Sequence, residues 1–167
     1  MNTRHQAMAL AAGPELLVGM PSGLAGVANR RVAWRVSAGE GKLPHPWVTA
    51  LLQTRSGLYV GTNGGGVARR MSDGRYEPYV ETEGLKVSPG CLTRAGEHVY
   101  AGSDGRGLWR LSTDGGRFEH LNADLPSPRV TALLASADAL FVGTDEGLAR
   151  MPLADTPELG GATGAAP

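Results

Sequence analysis

Short apolar runs separated by small polar turns recur along the chain, and they recur in step. Four segments, LLVGMPSGLAGV from Leu16, LYVGTNGGGVARRM from Leu58, VYAGSDGRGLWRL from Val99 and LFVGTDEGLARM from Leu140, follow one order: an apolar triplet, a glycine, a polar turn and a second apolar stretch. Apolar runs this short, bounded by glycine-containing turns, predict strands and not helices. Gly19, Gly61, Gly102 and Gly143 stand 42, 41 and 41 residues apart, and the upstream leucines Leu10, Leu51, Leu92 and Leu133 are spaced by 41 each time.

Two more strands complete each unit. The strings AMALAA, VTALLQ, GCLTRA and VTALLA around those leucines read as a strand with Ala9, Ala50, Cys91 and Ala132 at one equivalent position. A recurring small residue suits the crowded innermost strand of a radial fold. Downstream, RVAWRV, YEPYV and FEHL place Trp34, Tyr76 and Phe118 at 42-residue steps, an aromatic in a fourth strand, and the last unit has no counterpart. The Asp-Gly steps in SDGR (72 to 75) and TDGG (113 to 116) favour tight hairpins.

A four-stranded meander repeated every 41 residues or so is a β-propeller blade, since one blade cannot bury its own apolar faces and must stack on neighbours. The expected fold is therefore all-β, a propeller of four four-stranded blades at about residues 5–43, 44–85, 86–126 and 127–153, the last lacking its outer strand. That makes fifteen strands within residues 1–153, with ADTPELGGATGAAP (154–167) expected as a flexible tail. A parallel β-helix needs shorter coils, a leucine-rich horseshoe has its own consensus, and WD40 blades close on a Trp-Asp pair found in none of these units. Three assemblies remain open: a closed four-bladed ring, a half-propeller that pairs with a second copy or docks on a partner, and a fragment of a longer chain.

The stretch VTALLQTRSGLYVGTNGGGV (Val48 to Val67) resembles the repeats of bacterial two-component-regulator propellers, and Val130 to Leu148 repeats the likeness. In that family the residue two before the glycine is commonly tryptophan, whereas here it is Leu17, Tyr59, Tyr100 or Phe141. A weaker likeness to the Asp-box repeats of sialidase-type propellers rests on STDGGRF (Ser112 to Phe118), whose aromatic falls one place early. The first resemblance implies rings larger than four blades and a non-enzymatic sensing or protein-interaction role.

Charge narrows the partners. Sixteen Lys plus Arg balance sixteen Asp plus Glu, which leaves no global basic field for nucleic acid or an anionic membrane. No run approaches the ~18 apolar residues of a membrane helix. The single cysteine, Cys91, excludes an intrachain disulfide framework and fits a reducing compartment, so a cytoplasmic location is expected.

Chemistry should collect where the turn after the second strand meets the link between blades. Asn63, Asp104 and Asp145 lie two places after the glycine, preceded by Thr62, Ser103 and Thr144, and Glu146 and Arg106 stand in the same turns; Pro21 breaks the pattern in the first unit. Such an arc suits a cation or the hydroxyls of a small polar ligand, while Asx side chains also routinely bond the backbone of their own turn. The links add His45, Trp47, Lys86 and Arg129. Of these His45, Trp47 and Arg129 are candidate contacts for a protein partner or sugar, Trp47 alternatively plugging the gap between blades. Arg69, Arg110 and Arg150 recur in the third strands and are expected to bridge neighbouring blades.

The catalytic inventory is thin. His5, His45, His98 and His120 fall at different phases of the repeat, so no shared metal site is expected. Cys91 replaces an alanine of the other units and reads as a buried small residue. The glycines at 64 to 66 lie between two strands, where a phosphate-cradling loop would lead into a helix. Neither a catalytic residue nor a cofactor is assigned. The first functional reading is a ligand-sensing or protein-interaction module; beside it stand a lyase or glycan-processing enzyme using Asp104, Asp145 and Glu146 as acids and bases, and a structural subunit of a larger complex.

Overall fold

The computed structural model of the protein describes residues 6–38, 43–111, 116–121 and 123–153. The expected tail (154–167), His5 and most of the Asp-box-like stretch lie outside the described residues. Among these residues fifteen strands form four antiparallel sheets, with a 3-10 turn at Val80–Thr82. Blade 1 holds β1 (Ala9–Ala12), β2 (Leu16–Met20), β3 (Gly23–Ala28) and β4 (Arg31–Val36). Blade 2 holds β5 (Val48–Thr54), β6 (Gly57–Thr62), β7 (Val67–Arg70) and β8 (Tyr76–Pro78). Blade 3 holds β9 (Val87–Ala95), β10 (His98–Ser103), β11 (Leu108–Leu111) and β12 (Phe118–Leu121). Blade 4 holds β13 (Val130–Ala135), β14 (Ala139–Thr144) and β15 (Gly147–Pro152), a three-stranded sheet. Each sheet runs in sequence order from innermost to outermost strand, as a meander with local connections requires.

The repeated small residues and glycines face one another. Ala9 pairs with Gly19, Ala50 with Gly61 and Ala132 with Gly143. The glycines are there to admit a neighbouring blade. A Cβ added at Gly19, Gly61 or Gly102 would lie 2.6, 2.7 or 2.5 Å from a Cγ of Val48, Val87 or Val130, the first residue of the next blade's inner strand. Bulges after Val48 and Val130 break the regular pairing of those strands at the same place.

Each of these three joints carries its own core. Leu17, Leu24 and Val36 of blade 1 meet Val48, Leu51 and Leu58 of blade 2. Between blades 2 and 3, Ala50, Tyr59 and Val67 meet Leu92, Val99 and Phe118. Between blades 3 and 4, Cys91, Tyr100 and Leu108 meet Val130, Leu140 and Val142.

The outer faces of the two end blades are uncovered. Leu148 of blade 4 is 67% exposed, whereas its repeat counterparts Leu24, Val67 and Leu108 are at 0%. Leu10 of blade 1 is 61% exposed against 9% for Leu51 and 6% for Leu92. Leu16 is 43% exposed, against 3%, 6% and 0% for Leu58, Val99 and Leu140. The Gly143 socket is open, since an added Cβ there would meet only Ala132. Among the described residues the strands of blades 1 and 4 make no joint like the other three.

The third-strand arginines do not bridge blades. Arg69 Nε donates to the Ser56 carbonyl (3.0 Å), Arg110 Nε to Glu119 (3.0 Å) and an Arg150 terminal nitrogen to Asp138 (2.6 Å), every partner lying in the arginine's own blade. A third strand has second and fourth strands on either side, and an outward-pointing side chain reaches those before it reaches the next blade. The inter-blade role falls to Arg70, whose guanidinium sits 4.6 Å over the Trp34 ring and 4.0 Å from Glu15, both in blade 1. The SDGR turn closes as its Asp-Gly step predicts, Met71 N–H donating to the Arg75 carbonyl (2.7 Å).

Candidate functional site

The second-strand turns and the ends of the links are tied by one repeated hydrogen bond. Asn63 N–H donates to the Trp47 carbonyl (2.9 Å), Asp104 N–H to Lys86 (2.9 Å) and Asp145 N–H to Arg129 (3.3 Å). Blade by blade, the rim of the mouth therefore carries the pairs Trp47 and Asn63, Lys86 and Asp104, Arg129 and Asp145. All of these except Asp145 line a cavity of about 410 Å³ that Met8 also borders, so all four blades contribute.

The turns themselves are closed by hydroxyls and not by the Asx side chains. Thr62 Oγ1 donates to the Gly66 carbonyl (2.9 Å), Ser103 Oγ to Gly107 (2.8 Å) and Thr144 Oγ1 to Gly147 (3.0 Å). A Thr or Ser directly before the Asx is placed to reach across a three- or four-residue turn, which frees the longer side chain for the mouth.

The two aspartates share one cation. Arg129 Nε lies 2.9 Å from Asp104 Oδ1 and 3.7 Å from Asp145 Oδ2, joining blade 3 to blade 4. All three side chains are well exposed, so the pairing contributes at most ~1 kcal/mol to stability. Its consequence is chemical: a metal ion at this arc would have to displace a guanidinium. Among the described residues no three His, Cys, Asp or Glu side chains converge to hold a metal.

Trp47 is 39% exposed and its N–H donates to His45 Nδ1 (3.2 Å), which sets the direction of the link. Trp47 lines the mouth. Arg106 stands apart from this cavity: its guanidinium lies 5.4 Å over the Trp109 ring, and its Nη1 donates to the Glu83 carbonyl (3.5 Å). Glu146 is exposed in the turn after β14, its N–H donating to Thr144 Oγ1 (3.3 Å). Thr49, which the sequence reading did not single out, also lines the mouth; its hydroxyl donates to the Val87 carbonyl (2.7 Å) and couples two inner strands.

Cys91 is fully buried between blades 3 and 4, and desolvation pushes its thiol up to about 11. The thiolate is the reactive form. Iodoacetamide is therefore expected to leave Cys91 unmodified in native protein at neutral pH and to alkylate it fully in urea, read by intact mass; rapid native labelling would contradict its burial.

No family model matches the chain, and no curated protein matches its sequence. Solved structures do. The chain is similar to the computationally designed Ika4 protein at 15% identity and TM-score 0.69, covering 90% of this chain and 93% of that one. It matches the extracellular domain of BT3049, a candidate hybrid two-component system of B. thetaiotaomicron, at 15% identity and TM-score 0.74, over 89% of this chain and 21% of that one. The β-propeller domain of Myceliophteria thermophila Cps50 (Swd1) matches at 16% identity and TM-score 0.63, over 89% of this chain and 53% of that one. The chain thus spans nearly all of Ika4 but only a fifth to a half of the longer structures. An extracellular neighbour lends no support to the expected cytoplasmic location; among the described residues no helix is long and apolar enough to cross a membrane. At this identity the likeness establishes the fold alone: the chain folds as β-propeller blades.

Proposed function

We propose that this chain is a non-enzymatic propeller module, of the two-component-regulator repeat type, that recognises a small polar ligand or a partner's polar group at its mouth, and whose four-blade arc completes a larger ring. One observation carries the reading: the rim alternates donors and acceptors from three blades around a single cavity, with Trp47 as its half-exposed aromatic. An aromatic face beside amide, ammonium and carboxylate groups fits a hydroxylated ligand, whose C–H face stacks while its hydroxyls take the hydrogen bonds. The sensing role is carried by analogy from BT3049, whose match is an extracellular domain of a two-component system.

The acid/base reading has less support. Asp104 and Asp145 both lie against Arg129, which competes for the lone pairs a proton transfer would use, and Glu146 has no place in the cavity lining. The test is melting temperature against a panel of neutral monosaccharides, amino acids and calcium chloride. A binding sugar or amino acid is expected to raise the midpoint by several degrees at saturation, with the shift lost in Trp47→Ala/Asn63→Ala; calcium should be silent. An undiminished shift in the double variant would place the site elsewhere.

A further inference from the structure

The two uncovered faces are the two halves of one joint. At each internal joint the leading blade offers a small inner-strand residue, an aromatic or large apolar residue from its second strand and an apolar residue from its third; the following blade offers a valine and two leucine-like residues. Blade 4 presents the leading set in Ala132, Phe141 and Leu148, with Leu134 at 67% exposure beside them. Blade 1 presents the following set in Leu10 and Leu16, with Ala7 at the position of Val48 and Val130. These residues match the class of their buried counterparts except Ala7, which is smaller than Val48 and Val130, and among the described residues blade 4 lacks the fourth-strand and link residues that, like Val36 and Leu43, add to the other joints. A chain that carries both halves, unable to join them within itself, can satisfy both at once with a two-fold mate.

We propose that two copies of this chain assemble head to tail, blade 4 of each against blade 1 of the other, closing a ring of eight blades. The proposal rests on the ring-completing part of the function above and names the partner. Continuity with the internal interface supports a second copy over an unrelated protein: Gly143 is open where Gly19, Gly61 and Gly102 each receive a valine, and Ala7 of blade 1 stands at that valine's place in the repeat. The chain also overlies 46% of the designed Ika8 protein and 53% of the Cps50 propeller domain, the share expected of a half-ring. Two-fold closure covers both faces and leaves none to propagate a filament.

Light scattering on the eluting peak should give twice the 17.4 kDa chain mass at every loading. Leu148→Glu, at a position exposed in the single chain and so harmless to its fold, should give a monomer with unchanged far-ultraviolet circular dichroism, weakening association by a hundredfold or so, as expected for a charge placed in an apolar interface centre. The second variant is Ala7→Cys/Gly143→Cys. Added Cβ atoms at the three internal sockets lie 3.0 to 3.2 Å from the partner valine's Cβ, close to the ~3.5–4.5 Å of a disulfide. Oxidation should give a covalent dimer with no higher ladder. A wild type that is monomeric and melts cooperatively overturns the proposal, and so does a ladder of higher oligomers or a dimer that Leu148→Glu leaves intact. A monomer that still shows the Trp47-dependent ligand shift would sink the dimer and leave the mouth reading standing; a dimer without that shift does the reverse.

Discussion

Gly102→Val is expected to abolish cooperative folding. The new side chain's Cβ would stand 2.5 Å from Val130 Cγ1, 3.0 Å from Val130 Cβ and 3.1 Å from Cys91 Cβ. Val130 is β-branched and fully buried, with little freedom to turn aside, and Cys91 is fixed in the inner strand behind it. Either β10 or β13 must move, which opens the joint between blades 3 and 4. Overpacking typically costs ~1–3 kcal/mol; here a backbone shift that uncovers Tyr100, Leu108, Leu140 and Val142 brings it to ~4 kcal/mol or more, most of the ~5–15 kcal/mol available to a domain. Gly143→Ala, made in the Leu148→Glu background so that no second copy fills its socket, is the internal control, because within the chain its Cβ would meet only Ala132 at 3.3 Å, and it should shift the urea midpoint little. A Gly102→Val protein that unfolds at the wild-type midpoint would remove the socket from the account of blade stacking.

Phe118→Ala should be the next most damaging. Phe118 is 2% exposed and meets Tyr79 edge-on at 5.0 Å, while Tyr79 stacks on Tyr59 at 6.3 Å, an aromatic series linking blade 3 to blade 2. Truncating a buried phenylalanine costs ~3–5 kcal/mol, part transfer and part cavity. Tyr76, at the same repeat position in blade 2, is only half-buried, and its replacement by alanine should cost roughly half as much. The comparison is made on urea midpoints at constant slope; equal losses at the two positions would show that repeat position, and not burial, sets the contribution.

The mouth was partly legible. Asn63, Asp104 and Asp145 stand out because a hydroxyl, an Asx and a glycine-bounded turn recur at one phase of the repeat; Asn63 and Asp104 line one cavity with the link residues Trp47, Lys86 and Arg129, while Asp145 lies outside that lining and meets it through Arg129. What could not be read was Arg129 lying between Asp104 and Asp145, since one partner is in its own blade and the other a blade away. Arg106, two places after Asp104, lies over Trp109 and outside that lining, and Glu146, one place after Asp145, also lies outside it. The arginine series shows the same limit. Periodicity says that Arg69, Arg110 and Arg150 are equivalent, but their partners depend on whichever acceptor the neighbouring strand of the same blade holds.

Strand order, blade phase and the three-stranded fourth blade follow from the sequence by itself, because turn glycines, Asp-Gly hairpins and apolar triplets act over a few residues and repeat often enough to fix the register. Burial does not follow. Leu108 and Leu148 occupy the same place in their repeats, and one is at 0% exposure while the other is at 67%. A blade's apolar face is covered only by the next blade, and whether that neighbour is present is a property of the folded arc and not of any local stretch of chain.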